Sequence, residues 1–228
     1  MLPFPINLYS HKGLEDSLQD ALGKDTKIGE ITDSSQKPVL LIPAYDTLTR
    51  RTEWFCSNNP VDKPLWYNDI EVWKICTASA SAPTFFPPRE LKTPTKETIE
   101  KMYVDQTVRD HINLNLTKKG RDLGEKYPFV DGGIAVNNPA IMAIAHAILT
   151  PDRQMNLDEI AILSIGTGTP TKPYTYKEVK NWGMVQWAIH INDLFIPAPN
   201  ELTSDVCWQL IRGKSDDNAK VYYALISG

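Results

Sequence analysis

The fold of this chain is decided by the segment Tyr127-Pro-Phe-Val-Asp-Gly-Gly-Ile-Ala-Val-Asn-Asn-Pro139. The segment begins with β-forming residues, reaches a carboxylate at Asp131, turns through Gly132 and Gly133, and continues into the apolar run 140–149. Asn138-Pro139 supplies an N-cap followed by proline at the first helical position. Because glycine adopts backbone conformations closed to other residues, the segment predicts a buried strand, a tight glycine turn and a helix.

Asp131 is the candidate catalytic residue of this pattern. Open α/β sheets bind ligands where the carboxyl ends of their strands meet such turns, so an acid there is within reach of substrate. The alternative is that Asp131 only accepts hydrogen bonds from the amides of the turn, as aspartate often does beside glycine. The segment alone leaves the two roles about equally open.

The composition excludes several classes of protein. With 24 basic and 28 acidic residues and a net charge of -4, the 228-residue chain has no basic surface for nucleic acid and no polybasic patch for anionic lipid. No apolar run approaches the roughly 18 to 20 residues of a transmembrane helix. The chain starts without a secretory signal pattern, and its three widely spaced cysteines form no metal motif. We therefore expect a cytoplasmic protein with reduced thiols and no metal site.

Two further apolar runs of strand length, 39–44 and 160–165, predict additional core strands. The order strand, helix, strand across 127–165 predicts a βαβ unit with a right-handed crossover, and hence a mainly parallel sheet. Residues 47–69 are polar and aromatic and predict a surface loop, and the charged stretch 89–126 predicts an exposed insertion. No shift in composition marks a boundary, so a single α/β domain over 1–228 is expected.

The sequence offers no convincing nucleophile to accompany Asp131. Ser79 and Ser81 lie in the small-residue stretch Thr77-Ala-Ser-Ala-Ser-Ala-Pro-Thr-Phe-Phe-Pro-Pro88, but neither has the flanking glycines that place a serine on a sharp strand-to-helix turn. None of the 12 glycines belongs to a GxSxG motif. His146 lies in the apolar run 140–149, which favours a core histidine over a catalytic base.

Three motifs in this order give the chain a resemblance to the patatin-like phospholipases, a family of lipid acyl hydrolases. They are Pro38-Val-Leu-Leu-Ile-Pro-Ala-Tyr-Asp46, the stretch 77–88, and Phe129-Val-Asp-Gly-Gly-Ile-Ala-Val-Asn-Asn-Pro139, followed by Leu163-Ser-Ile-Gly-Thr-Gly168. The third matches the Asp-Gly-Gly/Ala motif of the family. The resemblance covers most of residues 14–196.

This resemblance implies a three-layer α/β/α fold with a mainly parallel central sheet. It also implies a Ser-Asp dyad that hydrolyses acyl esters of phospholipids and galactolipids without a metal or an organic cofactor. Asp131 takes the place of the dyad carboxylate, and Gly132 and Gly133 form the motif turn. The expected partners are a lipid substrate and, transiently, a membrane surface that the protein contacts peripherally; nucleic acid is not expected.

The chain departs from the family at the nucleophile. The family places its GxSxG serine and its glycine-rich oxyanion loop ahead of the region where residue 1 begins here. The chain therefore resembles the C-terminal two-thirds of the domain, an incomplete domain without its N-terminal strands.

Three accounts of this departure are open: a fragment of a longer product, a half that pairs with another chain, or a degenerate relative kept for binding or regulation. The intact Asp-Gly-Gly turn favours the first account. On that account the missing N-terminal segment is required for activity, and the 228 residues alone are expected to be inactive.

Overall fold

The structure is a computed structural model that describes residues 7–31, 38–48, 50–58, 65–92, 126–150, 155–166, 173–195, 197–212 and 221–225. The chain divides into two compact units, Met1–Ala135 and Val136–Gly228. Each unit has its own cluster of buried apolar side chains.

The first unit is built on a four-stranded antiparallel sheet. Its strands are β1 (Leu41–Asp46), β2 (Arg51–Cys56), β3 (Arg89–Lys92) and β4 (Lys126–Asp131), arranged in the order β2-β1-β4-β3. Among the described residues of this unit the α-helices are α1 (Lys12–Leu22), α2 (Ile28–Ile31) and α3 (Val72–Ser79). Helix α3 packs on β1, β3 and β4, and α1 packs on α3.

One face of this sheet forms the core of the first unit. Along β1 the side chains of Ile42, Ala44 and Asp46 are buried while their neighbours are half-buried, which is the alternation expected of a strand with one covered face. Phe55 and Phe129 are fully buried or nearly so, and their rings meet edge to face. The cluster consists of Ile28, Ile42, Ala44, Phe55, Tyr67, Val72, Ile75, Ala78, Leu91 and Phe129.

The described part of the second unit contains four α-helices and a two-stranded parallel sheet. The helices are α4 (Ala140–Leu149), α5 (Tyr176–Val179), α6 (Met184–Phe195) and α7 (Pro197–Arg212), and β5 (Ile162–Gly166) pairs with β6 (Val221–Leu225). Its core joins α4 to α7 through Ile144, Cys207 and Ile211. Asn138 also donates from its amide to the hydroxyl of Ser204 at 3.1 Å, which links the start of α4 to α7.

The prediction of an α/β chain is confirmed, but the predicted mainly parallel sheet is wrong for the strand that carries Asp131. Both neighbours of β4 run antiparallel to it, and among the described residues the parallel pair is β5 with β6. A strand-helix-strand order in the sequence is compatible with a parallel pair of strands, but it does not determine which strands pair. Here both edges of β4 are occupied by β1 and β3, and β5 takes β6 as its partner.

Two strands lie where irregular structure was expected. Strand β2 falls within the predicted surface loop 47–69, and its aromatic Phe55 is a core residue instead of a surface anchor. Strand β3 opens the predicted insertion 89–126 and pairs with β4 through four residue pairs. Residues 93–125 of that predicted insertion, and Gly168 of the later glycine turn, lie outside the described residues.

The exit of the chain from β4 is tightly packed against β1. A Cβ atom added to Gly132 would lie 2.4 Å from the carbonyl oxygen of Pro43, closer than real Cβ atoms approach any backbone atom. Neither Gly132 nor Gly133 has a positive φ, so the backbone freedom of glycine is not what the turn uses. Glycine is required at 132 because no side chain fits there.

Two carboxyl groups, those of Asp46 and Glu53, lie at one end of the sheet face that forms the core of the first unit. Asp46 is 4% exposed and accepts a hydrogen bond from the N–H of Leu48 at 2.9 Å. Burial and the neighbouring Asp46 raise the pKa of Glu53 to about 7, although the indole of Trp66 donates a hydrogen bond to it. Burial together with these two acids raises the pKa of Tyr127 to about 12.

We expect Glu53 to make the stability of the protein fall as the pH rises from about 4.5 to about 7. The fold favours the protonated carboxyl, so its contribution is complete below the unfolded pKa of 4.5 and is lost as the pH passes the folded value. At about 1.4 kcal/mol per pKa unit, the rise of the Glu53 pKa from 4.5 to about 7 limits the loss to roughly 3 to 4 kcal/mol. Urea unfolding at pH 5 and pH 8 measures it.

Glu53→Gln should flatten that dependence, because the amide does not ionise. Glu201→Gln, at an exposed position of α7, is the matched control and should leave the pH dependence as it is in the unmodified chain. An equal pH dependence in the unmodified chain and in Glu53→Gln would contradict the assignment.

Gly132→Ala should destabilise the first unit by about 1 to 3 kcal/mol, the usual range for overpacking a buried site. The added methyl group meets the backbone of Pro43, which cannot rotate away as a side chain would. The midpoint of urea unfolding measures the effect. Gly13→Ala is the control, because nothing lies within 4 Å of a Cβ there and alanine favours helix α1. A neutral Gly132→Ala would show that β1 and β4 can separate without cost.

Candidate active site

Asp131 is the last residue of β4 and introduces a short 3-10 turn, Gly132–Ile134. Strand β4 is an interior strand of the sheet, and the side chain of Asp131 is half-buried. Its Oδ1 accepts a hydrogen bond from the N–H of Gly133 at 2.7 Å. This bond fixes the orientation of the carboxylate, and among the described residues Gly133 is its one hydrogen-bond donor.

The backbone of Asp131 is held from a second direction. Its N–H donates to the carbonyl of Ser81 at 3.0 Å. Strand β3 pairs with β4 from Phe129 to Lys126, so Asp131 lies past the end of that pairing. The carbonyl of Ser81 accepts the N–H that no residue of β3 reaches.

The environment of Asp131 makes its carboxylate a stronger base than an exposed aspartate. Burial raises the pKa of Asp131 above its usual 3.8, and the hydrogen bond from Gly133 opposes that rise. Desolvation disfavours the charged form, which therefore gains more by accepting a proton. Because the group is only half-buried, it combines this increased basicity with access from outside.

Ser81 proves to be a buried structural residue. It is 0% exposed, and its hydroxyl donates to the carbonyl of Thr77 at 2.6 Å. The ring of His11 lies 3.0 Å from the same hydroxyl through Nε2. The sequence singled out Ser81 only as a weak candidate nucleophile, and it gave no signal for His11, which is 70 residues away in sequence.

The other residues weighed from the sequence do not join Asp131 in a described site. Ser79 ends helix α3, whereas His146 lies in α4 and Ser164 in β5, both in the second unit. Within the described ranges, no three His, Cys, Asp or Glu side chains are arranged to hold a metal ion. The same ranges contain no helix long and apolar enough to cross a membrane.

The sequence of this chain is similar to that of known proteins. Residues 5–144 match the family described as patatin-like phospholipase, a span that includes α1, α3, the whole four-stranded sheet and the Asp131 turn. Over 209 aligned residues the chain is 29% identical to Patatin-08 and to Patatin group D-3, and 27% identical to Patatin-T5, all from Solanum tuberosum.

Each of these alignments covers 86% of this chain and 45% of the relative. The chain thus spans about half the length of the curated relatives that it matches. Since the family match extends over more than half of its residues and contains the strand and turn of Asp131, the chain belongs to the patatin-like phospholipase family.

Proposed function

We propose that this chain contributes the carboxylate half of a Ser-Asp dyad in a lipid acyl hydrolase, with Asp131 as the base. The observation that supports this role most directly is the geometry of Asp131: the end of an interior strand, half-buried, with its carboxylate oriented by the N–H of Gly133. Patatin-like membership supplies the reaction class, the hydrolysis of carboxylic esters of lipids. We also propose the three-layer α/β/α arrangement that the family resemblance implies. It is not observed among the described residues.

In the proposed reaction Asp131 accepts the proton of a serine hydroxyl as the serine attacks the acyl carbonyl of the lipid. A serine hydroxyl is a weak nucleophile until an adjacent base removes its proton. The raised pKa of Asp131 brings its basicity closer to that of the reacting alkoxide, which favours the transfer. As the acyl-enzyme forms, Asp131 passes that proton to the departing alcohol. Asp131 then takes a proton from the water that attacks the acyl-enzyme and returns it to the serine oxygen, which releases the fatty acid.

The serine and the oxyanion donors are proposed to come from a segment outside these 228 residues, because no GxSxG occurs within them. Backbone donors that hold the oxyanion typically contribute 10²- to 10³-fold in turnover. The lipid substrate lies in a membrane or micelle, so transient contact with its surface is part of the proposal. A cytoplasmic location is part of it as well, because it suits three cysteines that form no disulfide.

A binding or regulatory protein without catalysis is the second candidate. The absence of GxSxG favours it, and the hydrogen bond from Gly133 explains Asp131 equally well as a turn residue. The two candidates differ in one respect: only the first requires the carboxylate of Asp131 to accept a proton.

We expect the 228-residue chain to be inactive, and a version extended to include an upstream GxSxG segment to hydrolyse a p-nitrophenyl ester and a phospholipid. In the extended protein Asp131→Asn should lower turnover by on the order of 10⁴-fold or more, by analogy with other catalytic aspartates. The asparagine still accepts the bond from Gly133 but cannot take the serine proton. Initial rates on both substrates measure the effect.

Asp20→Asn, at an exposed position of α1, is the control and should retain full activity. Full turnover in Asp131→Asn would overturn the role of Asp131 as the base of a dyad. No hydrolysis by the extended protein would leave the binding or regulatory protein as the better candidate. Activity in the short chain that is lost on mutation of Ser79, Ser81 or Ser164 would place the nucleophile inside these 228 residues.

A further inference from the structure

The chain just before α1 lies along the proline-rich turn that follows α3. Leu8 donates its N–H to the carbonyl of Thr84 at 3.2 Å, and Tyr9 donates to Phe85 at 2.8 Å. The ring of Tyr9 stacks on Phe85 at 6.5 Å and tilts against Phe86 at 5.8 Å. Residues 8–11 therefore hold the turn 81–87 in place, and we call them the N-terminal clamp.

The turn that this clamp holds contains a strained residue. Thr84 has φ of 76°, a left-handed conformation that is unusual for a β-branched side chain. Such conformations are unfavourable for a β-branched residue and persist only where the surroundings enforce them. The bond from Leu8 to the carbonyl of Thr84 is one such enforcing contact.

His11 extends the clamp to the backbone that holds Asp131. Its ring stacks on Phe86 at 5.7 Å, and its Nε2 lies 3.0 Å from the hydroxyl of Ser81. Ser81 is thus anchored on both sides of its oxygen, by His11 and by the carbonyl of Thr77. Its own carbonyl accepts the N–H of Asp131. A continuous series of contacts leads from the imidazole to the residue proposed as the base.

The hydrogen bond from His11 to Ser81 needs a proton on Nε2. Ser81 uses its single proton toward Thr77, so Nε2 must donate if it is to bond the Ser81 oxygen. The imidazolium always carries a proton on Nε2, whereas the neutral ring carries its single proton on either nitrogen and makes the bond only as the Nε2 tautomer.

The charges that face His11 come from two elements. Glu15 of α1 and Arg89, the first residue of β3, form an ion pair with each other beside the ring. Burial lowers the pKa of His11 from its usual 6.5, with Arg89 acting in the same direction and Glu15 and the backbone of Pro87 opposing them. The imidazolium, which always has the Nε2 proton, therefore forms on the acid side of neutrality.

We propose that His11 and Ser81 are positioning residues for Asp131, and that protonation of His11 secures the hydrogen bond to Ser81 that helps to fix the backbone of Asp131 at the end of β4. The relevance of this positioning to catalysis rests on the proposed function, whereas the coupling between His11 and Asp131 does not depend on it. As the pH falls through the pKa of His11, the Ser81 carbonyl becomes more firmly placed and the N–H of Asp131 more protected.

The test is NMR on the 228-residue chain labelled with ¹⁵N-aspartate. The amide shift of Asp131 should show an inflection at the pKa read independently from the ring protons of His11. His11→Phe keeps the stack on Phe86 but loses the bond, and should speed hydrogen exchange at the Asp131 amide roughly two- to tenfold, the effect of one net hydrogen bond. His11→Gln, which can still donate but does not titrate, should restore protection and abolish the inflection.

Ser81→Ala is the second variant and decides the matter if His11→Phe does not fold, because it should lose both the protection and the inflection. His190→Gln, in the second unit, is the matched histidine control and should change neither. Unchanged exchange in Ser81→Ala, or an inflection that persists in His11→Gln, overturns the proposal. Because exchange needs no turnover, full activity of Asp131→Asn in the extended protein would defeat the proposed function and leave this coupling standing.

Discussion

The hydrogen bond from the Asp131 N–H to the Ser81 carbonyl is the constraint on which this site depends. It joins the end of β4 to the turn after α3, two segments that meet only because the sheet and its covering helix are packed together. The contact of Gly132 with Pro43 restrains the same exit on the side of β1. Together the two contacts restrain the backbone on both sides of the Asp131 carboxylate. Losing either would free the backbone at the position of the proposed base, where a small displacement would matter.

Much of the fold could be predicted from the sequence, because its longest elements carry strong local signals. The apolar runs around β1 and β5 and the helix 140–149 are recognisable from their residues alone. Strand β2 was missed because Arg51, Glu53 and Trp54 are not a typical apolar strand, and its burial comes from the helix and aromatic residues packed on the sheet. Pairing direction was missed for a different reason: local pattern identifies strands, but the partner of each strand is chosen by the whole chain.

Only those residues of the candidate site that are adjacent in the sequence could be predicted. Asp131, Gly132 and Gly133 are adjacent in sequence, so their turn has a sequence signature. His11 and Ser81 are 70 residues apart, and neither histidine nor serine is unusual in its own segment. The reason for glycine at 132 also required the structure, since its function is to admit the carbonyl of Pro43 and not to reach a positive φ.

The two roles considered for Asp131, turn residue and base, prove to be compatible in one geometry. The bond from the Gly133 N–H stabilises the carboxylate and lowers its pKa, and burial raises it, with burial the larger effect. A carboxylate held by more donors would be too weak a base, and one held by none would have no fixed direction. One backbone donor in a half-buried site gives orientation while leaving the basicity increased. The turn interaction is therefore not evidence against catalysis, since a dyad carboxylate at this position would need such a bond.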